Sequence, residues 1–168
     1  WLGQGPLTEE FERQFAEKFG YKYCLSVNSG SSSLELAYHL AGISEGDEVL
    51  TPVFTCTATN IPLVRRKAKI RFIDINKDFT ADYEDLAAKI SSKTKAVIVV
   101  TVGGLPIDPR IFDKAKEYGV PVIIDAAQSV GISEYQGDYI CYSFQAIKHF
   151  TTGDGGMLVL RNKKDYDR

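Results

Sequence analysis

No basic stripe runs through this chain. Its 20 lysines and arginines stand against 22 aspartates and glutamates, a formal net charge of −2 over 168 residues, so it lacks the concentrated positive field that a phosphate backbone calls for. Cysteine is scarce: Cys24, Cys56 and Cys141 are an odd number without metal-ligand spacing, and no metal site is expected. No charged start followed by an apolar run resembles a signal peptide, and there is no low-complexity linker, heptad array or internal repeat. These absences, with a length that can bury a real core, leave small molecules or protein surfaces as partners and the cytoplasm as the expected compartment. The chain opens on Trp1 and stops in "RNKKDYDR", from which we expect a piece of something longer.

What is present alternates. Apolar runs of strand length recur at "YCLSVNS", "EVLTPVFT", "KIRFIDI", "AVIVVTV", "VPVIIDAA", "YICYSF" and "GMLVLRN", most of them β-branched or aromatic. Seven strands are predicted. Between them lie helical spacings: Leu7, Phe11, Phe15 and Phe19; Leu34, Leu36 and Leu40; Tyr83, Leu86 and Ile90; Ile111, Phe112 and Ala115. In "LTEEFERQF" Thr8 is placed as an N-cap with Glu9, Glu10 and Glu12 in the first turns, and Gly119 closes the helix of "KEYGV". The class is α/β, a three-layer sandwich around a mostly parallel sheet, whose strands are covered on both faces and so too apolar for simple alternation.

In open sheets of this kind ligands bind at the carboxyl ends of parallel strands, which directs attention to three segments. In "NSGSSSLEL" a strand passes through Gly30 into Ser31, Ser32 and Ser33 at a helix start. Exposed N–H groups and hydroxyls there form an anion site, although Asn28 and Ser29 acting as plain caps is the simpler account. In "PVIIDAAQS" Asp125 ends a strongly apolar strand; it caps the next helix or meets a cation that arrives with a ligand, such as a protonated pyridine nitrogen. In "SFQAIKHFTTGDGG" Ser143 is a second phosphate donor and Lys148 a nucleophile, against the bland alternative of a solvated lysine. Partial burial between an apolar strand and Gly153, Gly155 and Gly156 favours the amine that imine formation requires.

With those residues in view, the chain resembles the large domain of the pyridoxal phosphate (PLP)-dependent nucleotide-sugar aminotransferases of the DegT/StrS type, within the fold type I, aspartate aminotransferase-like superfamily. The likeness runs through "WLGQGPLTEEFERQFAEKFG", "VNSGSSSLELA", "GDEVLTPVFTCTATNIPLV" and "VPVIIDAAQSVG", and is sharpest at "YSFQAIKHFTTGDGGMLV". It implies that residues 1–168 are the PLP-binding large domain, with a first helix over about 8–19 and the usual C-terminal small domain absent. By the same resemblance Lys148 forms a Schiff base with the cofactor and Asp125 pairs with its pyridine nitrogen. Gln128, one helical turn on, contacts the ring. Ser31, Ser32 and Ser143 hold the phosphate, and Cys56 lies where many relatives stack an aromatic residue. The implied reaction takes an amino group from glutamate to a nucleotide-linked keto sugar in a homodimer. The other reading is a shortened homologue that binds PLP without turnover.

Three departures from the family stand out. Cys56 replaces the aromatic, with Phe54 two residues earlier able to compensate. Thr101 and Val102 occupy positions where relatives often carry histidine and an aromatic. The connection "SVGISEYQGDYICYSF" is trimmed. The family's dehydratases carry histidine at the Schiff-base position, so Lys148 argues for amino transfer, and His149 does not take that place.

Overall fold

The computed structural model describes residues 3–131 and 136–168; part of the trimmed connection, residues 132–135, lies outside them. Among the described residues there are seven strands, β1 (Tyr23–Val27), β2 (Glu48–Pro52), β3 (Lys69–Ile73), β4 (Thr94–Val100), β5 (Val122–Asp125), β6 (Tyr139–Ser143) and β7 (Gly156–Leu160). They form one sheet in the order β1-β7-β6-β5-β4-β2-β3. Only β7 runs against its neighbours, antiparallel to both β1 and β6; the remaining pairs are parallel.

The apolar strands are explained by two cores, one on each face. Along β4, Val97 and Val99 turn to one and Ala96 and Ile98 to the other; along β5, Val122 and Ile124 are separated from Ile123 in the same way. The first face is covered by α1 (Pro6–Phe19), α4 (Tyr83–Lys89) and α5 (Arg110–Glu117), through Phe15, Leu86 and Ile111. The second is covered by α2 (Gly30–Leu40) and α3 (Thr57–Arg65), through Leu34, Tyr38 and Leu63. Each fully buried isoleucine or leucine contributes about 2 kcal/mol. A short α6 (Lys163–Tyr166) follows β7, and among the described residues no helix is long and apolar enough to cross a membrane.

Four details differ from the sequence reading. Pro6 rather than Thr8 opens α1, because its missing N–H and preset φ suit the first helical position; the Thr8 hydroxyl instead donates back to the Gly3 carbonyl at 3.0 Å. The second strand ends at Pro52, not Thr55, and the segment "TATNIPLVR" that follows is helical. Its threonines and internal Pro62 are poor helix formers, so burial of Thr59, Pro62 and Leu63 against the sheet provides what local propensity lacks. Finally, Asp125 is followed by a turn at Ala127–Gln128 instead of a helix. Gly119 does stand just past α5, in a left-handed conformation with φ 66°.

Candidate active site

The parallel strands end along one edge, and β5 and β6 end there side by side. Asp125 is paired with Cys141, and Ser143 lies two residues further along β6, on the same face of the sheet as Cys141. That face carries α2 and α3, so both strand-end side chains point into the layer where those helices begin.

Asp125 is 5% exposed. Burial is the main influence on its carboxyl and pushes it above the ordinary carboxylate range. Three groups oppose that: the Thr59 hydroxyl donates to Oδ2 at 2.6 Å, the Ala127 N–H donates to Oδ1 at 3.2 Å, and the positive charge of Lys148 faces it. Its main chain is held too, since Thr101 donates to the Asp125 carbonyl from its N–H at 3.1 Å and from its hydroxyl at 3.2 Å. The result is a fixed, poorly solvated carboxyl group.

Lys148 sits in the connection from β6 to β7, which folds back on itself. The Phe144 N–H donates to the Gly155 carbonyl at 2.9 Å, and the Phe144 carbonyl accepts from the Thr151 hydroxyl at 2.8 Å and the Thr152 N–H at 3.1 Å. Gly153 and Gly155 take φ of 87° and 135°, values that side chains rarely adopt. Lys148 is half-buried, and its ammonium makes no hydrogen bond or ion pair among the described residues. It borders a cavity of about 270 Å³ together with Phe54, Cys56, Thr101, Asp125 and Gln128.

The residues around that cavity are differently prepared. Cys56 is exposed, with its thiol free, at the N-cap of α3. Phe54 borders the same space, with its ring also packed on Phe79 at a centroid distance of 5.1 Å. Gln128 is exposed, and its Oε1 accepts the Gly103 N–H at 2.8 Å. Val102 is on the cavity wall. His149 is not; its Nε2 lies 3.1 Å from the Val130 carbonyl.

The serines divide. Ser29 is the N-cap of α2 and accepts the Ser32 N–H at 3.1 Å, while the Ser32 hydroxyl donates to Asn28 Oδ1 at 2.6 Å. Local capping therefore occupies both donors of Ser32. The hydroxyls of Ser31 and Ser143 make no hydrogen bond among the described residues. Gly30 brings the two segments together: a Cβ there would lie 2.7 Å from Ser143 Cβ. None of Ser31, Ser32 and Ser143 borders the cavity shared by Asp125 and Lys148. Sequence reasoning missed Thr59, because no helix was predicted after the run "EVLTPVFT"; the four-residue spacing of Thr55 and Thr59 was the available signal.

Over residues 1–168 the sequence matches the DegT/DnrJ/EryC1/StrS aminotransferase family. The solved aminotransferase TlmJ from Streptoalloteichus hindustanus is 35% identical, with a TM-score of 0.94 over 100% of this chain and 49% of that one. The sugar aminotransferase CalS13 from Micromonospora echinospora is also 35% identical, with a TM-score of 0.87 over 98% of this chain and 48% of that one. Spr1654 from Streptococcus pneumoniae, solved in PLP and PMP forms, is 28% identical, with a TM-score of 0.89; the PLP form is matched over 99% of this chain and 51% of that one. The chain thus spans about half the length of the relatives it matches.

Proposed function

The chain belongs to the DegT/DnrJ/EryC1/StrS aminotransferase family, and from that premise we propose that it acts as a PLP-dependent aminotransferase, moving an amino group from glutamate to a nucleotide-linked keto sugar. The observation that carries the reading is Lys148 and Asp125 on the wall of one cavity. A half-buried lysine without a hydrogen-bond partner among the described residues faces a buried carboxyl whose pKa burial has raised.

These residues fit the cofactor. A carboxyl group in that position is stabilised as a carboxylate when a cation is set against it, and a protonated pyridine nitrogen is such a cation. When bound, PLP supplies an aldehyde that captures amines and a ring that takes up electron density. Lys148 is the amine that would engage the aldehyde carbon, and its nitrogen would carry the proton to and from the substrate carbon. Asp125 would keep the ring nitrogen protonated. The start of α2, with the hydroxyls of Ser31 and Ser143, would hold the phosphate, and Ser32 would join once its hydroxyl left Asn28. Cys56 and Gln128 would flank the ring, the thiol replacing a bulkier contact with a smaller, more polarisable one.

A sugar acceptor is supported by the aminotransferase family and by sugar aminotransferases among its structural neighbours; glutamate as donor rests on the family resemblance alone. A homodimer and a cytoplasmic setting complete the proposal, the latter supported by three free cysteines. The test is to add PLP, reduce with borohydride and map the pyridoxyl label; it is expected on Lys148, and label elsewhere or none at all removes the reading. Glutamate should then convert bound cofactor to its amine form. Binding without that conversion would leave the cofactor-binding reading in its place.

A further inference from the structure

A chain of three oxygens leads from the cavity wall to the buried carboxylate. Thr55 Oγ1 lies 2.6 Å from Thr59 Oγ1, which lies 2.6 Å from Asp125 Oδ2. Thr59 is 0% exposed and Thr55 is half-buried on the cavity lining. An ionised Asp125 can only accept, so the single proton of Thr59 points to Asp125 and the proton of Thr55 points to Thr59. The direction of the chain follows from the inventory of donors.

We propose that Thr59, oriented by Thr55, is a positioning residue that fixes the Asp125 carboxylate and sustains its negative charge for the pyridine nitrogen of the cofactor. The inference rests on the PLP reading above and assigns a task to two residues not among the cofactor contacts proposed there. The geometry supports the task because the two carboxylate oxygens are held by different elements, Oδ2 by α3 and Oδ1 by the turn after β5. With both oxygens engaged, rotation of the side chain would break one bond or the other. The Thr101 clamp on the carbonyl fixes the main chain but leaves that rotation free. Among the described residues only Thr59 and Ala127 hydrogen-bond the carboxyl group itself, and Ala127 does so at the longer distance, 3.2 Å. Tyr38 provides the support behind this pair, donating its hydroxyl to the Thr59 carbonyl at 2.8 Å.

The experiment compares wild type with Thr59→Val, Thr59→Ser and Thr55→Val. Valine keeps the shape of Thr59 and removes its donor; serine keeps the donor. PLP affinity is read from the visible absorbance of the bound cofactor. Thr59→Val is expected to weaken it by about tenfold or more, as loss of a hydrogen bond to a charged group does. Thr59→Ser should restore affinity to within about threefold, and Thr55→Val should fall between them. Wild-type affinity in Thr59→Val overturns the inference, and so does a serine variant as weak as valine, since packing alone would then be responsible.

A second readout needs no cofactor. The Asp125 carboxyl is followed by carbon NMR with pH, assigned by its disappearance in Asp125→Asn. The groups facing it are Lys148 from the β6 to β7 loop, Tyr38 from α2 and Cys141 from β6. Burial pushes Tyr38 and Cys141 up, so both stay neutral across the range used. Thr59→Val is expected to shift the Asp125 midpoint upward; an unchanged midpoint overturns the inference. Failure of wild type to take label on Lys148 sinks the PLP reading, whereas normal labelling with an indifferent Thr59→Val sinks the positioning role alone.

Discussion

Gly30 and Ser143 touch so closely that a methyl group on Gly30 would sit 2.7 Å from Ser143 Cβ and 3.2 Å from its Cα. The contact joins the first residue of α2 to the last residue of β6, elements separated by most of the chain. It brings two proposed phosphate donors, Ser31 and Ser143, to one place. Gly30→Ala forces the helix start away from the strand end and is expected to cost about 1–3 kcal/mol, as overpacking does. Denaturant unfolding checks the stability, and PLP binding should weaken by more than pyridoxal binding, because the phosphate site is what moves.

Asp125 provides a pH-dependent prediction. Its folded pKa is raised above the ordinary 3.8, chiefly by burial. A raised acid contributes stability that is fully present below the unfolded value and is lost as pH rises through the folded one. In the absence of PLP, Asp125→Asn should therefore become the more stable protein as pH climbs from about 3.8 through that raised midpoint. Asparagine can accept the Ala127 N–H and donate to Thr59, whose hydroxyl then turns toward Thr55. Unfolding curves at several pH values, without cofactor, measure the gap; a gap that narrows with rising pH would contradict the assignment. Saturating PLP should reverse the ranking at neutral pH, since the cofactor stabilises wild type more.

The three thiols should react in a definite order. Cys56 is exposed on the cavity wall, while Cys24 and Cys141 are buried. Burial pushes the Cys24 thiol up to about 12 and raises Cys141 as well, so neither supplies thiolate at neutral pH. Iodoacetamide should modify Cys56 first, and saturating PLP should slow that reaction several-fold if the thiol flanks the ring. Peptide mapping with and without PLP reads both outcomes. Equal rates in the two samples would remove Cys56 from the proposed cofactor contacts.

Much of the architecture was legible because covered strands are written as apolar runs and their helices as regular apolar spacings. Asp125 could be picked out because a carboxylate after Val122, Ile123 and Ile124 is chemically out of place. α3 could not be, because Thr57, Thr59 and Pro62 all argue against a helix that tertiary burial nonetheless imposes. That one error concealed Thr59, whose value depends on helical spacing from Thr55. The capping of Ser32 was equally hidden: a string of serines does not say which hydroxyl turns to Asn28 and which stays free. Pro6 was readable as a helix opener and was passed over in favour of Thr8.

The reversed direction of β7 determines how the lysine comes to be where it is. Asp125 reaches the edge through a crossover, but Lys148 arrives on a hairpin between adjacent strands β6 and β7. Closing such a short loop costs little chain entropy, so the position of Lys148 depends on local sequence rather than on the assembly of distant parts. Insertions or deletions in residues 144–155 could therefore retune where Lys148 stands while leaving the sheet, and the carboxylate at its centre, undisturbed.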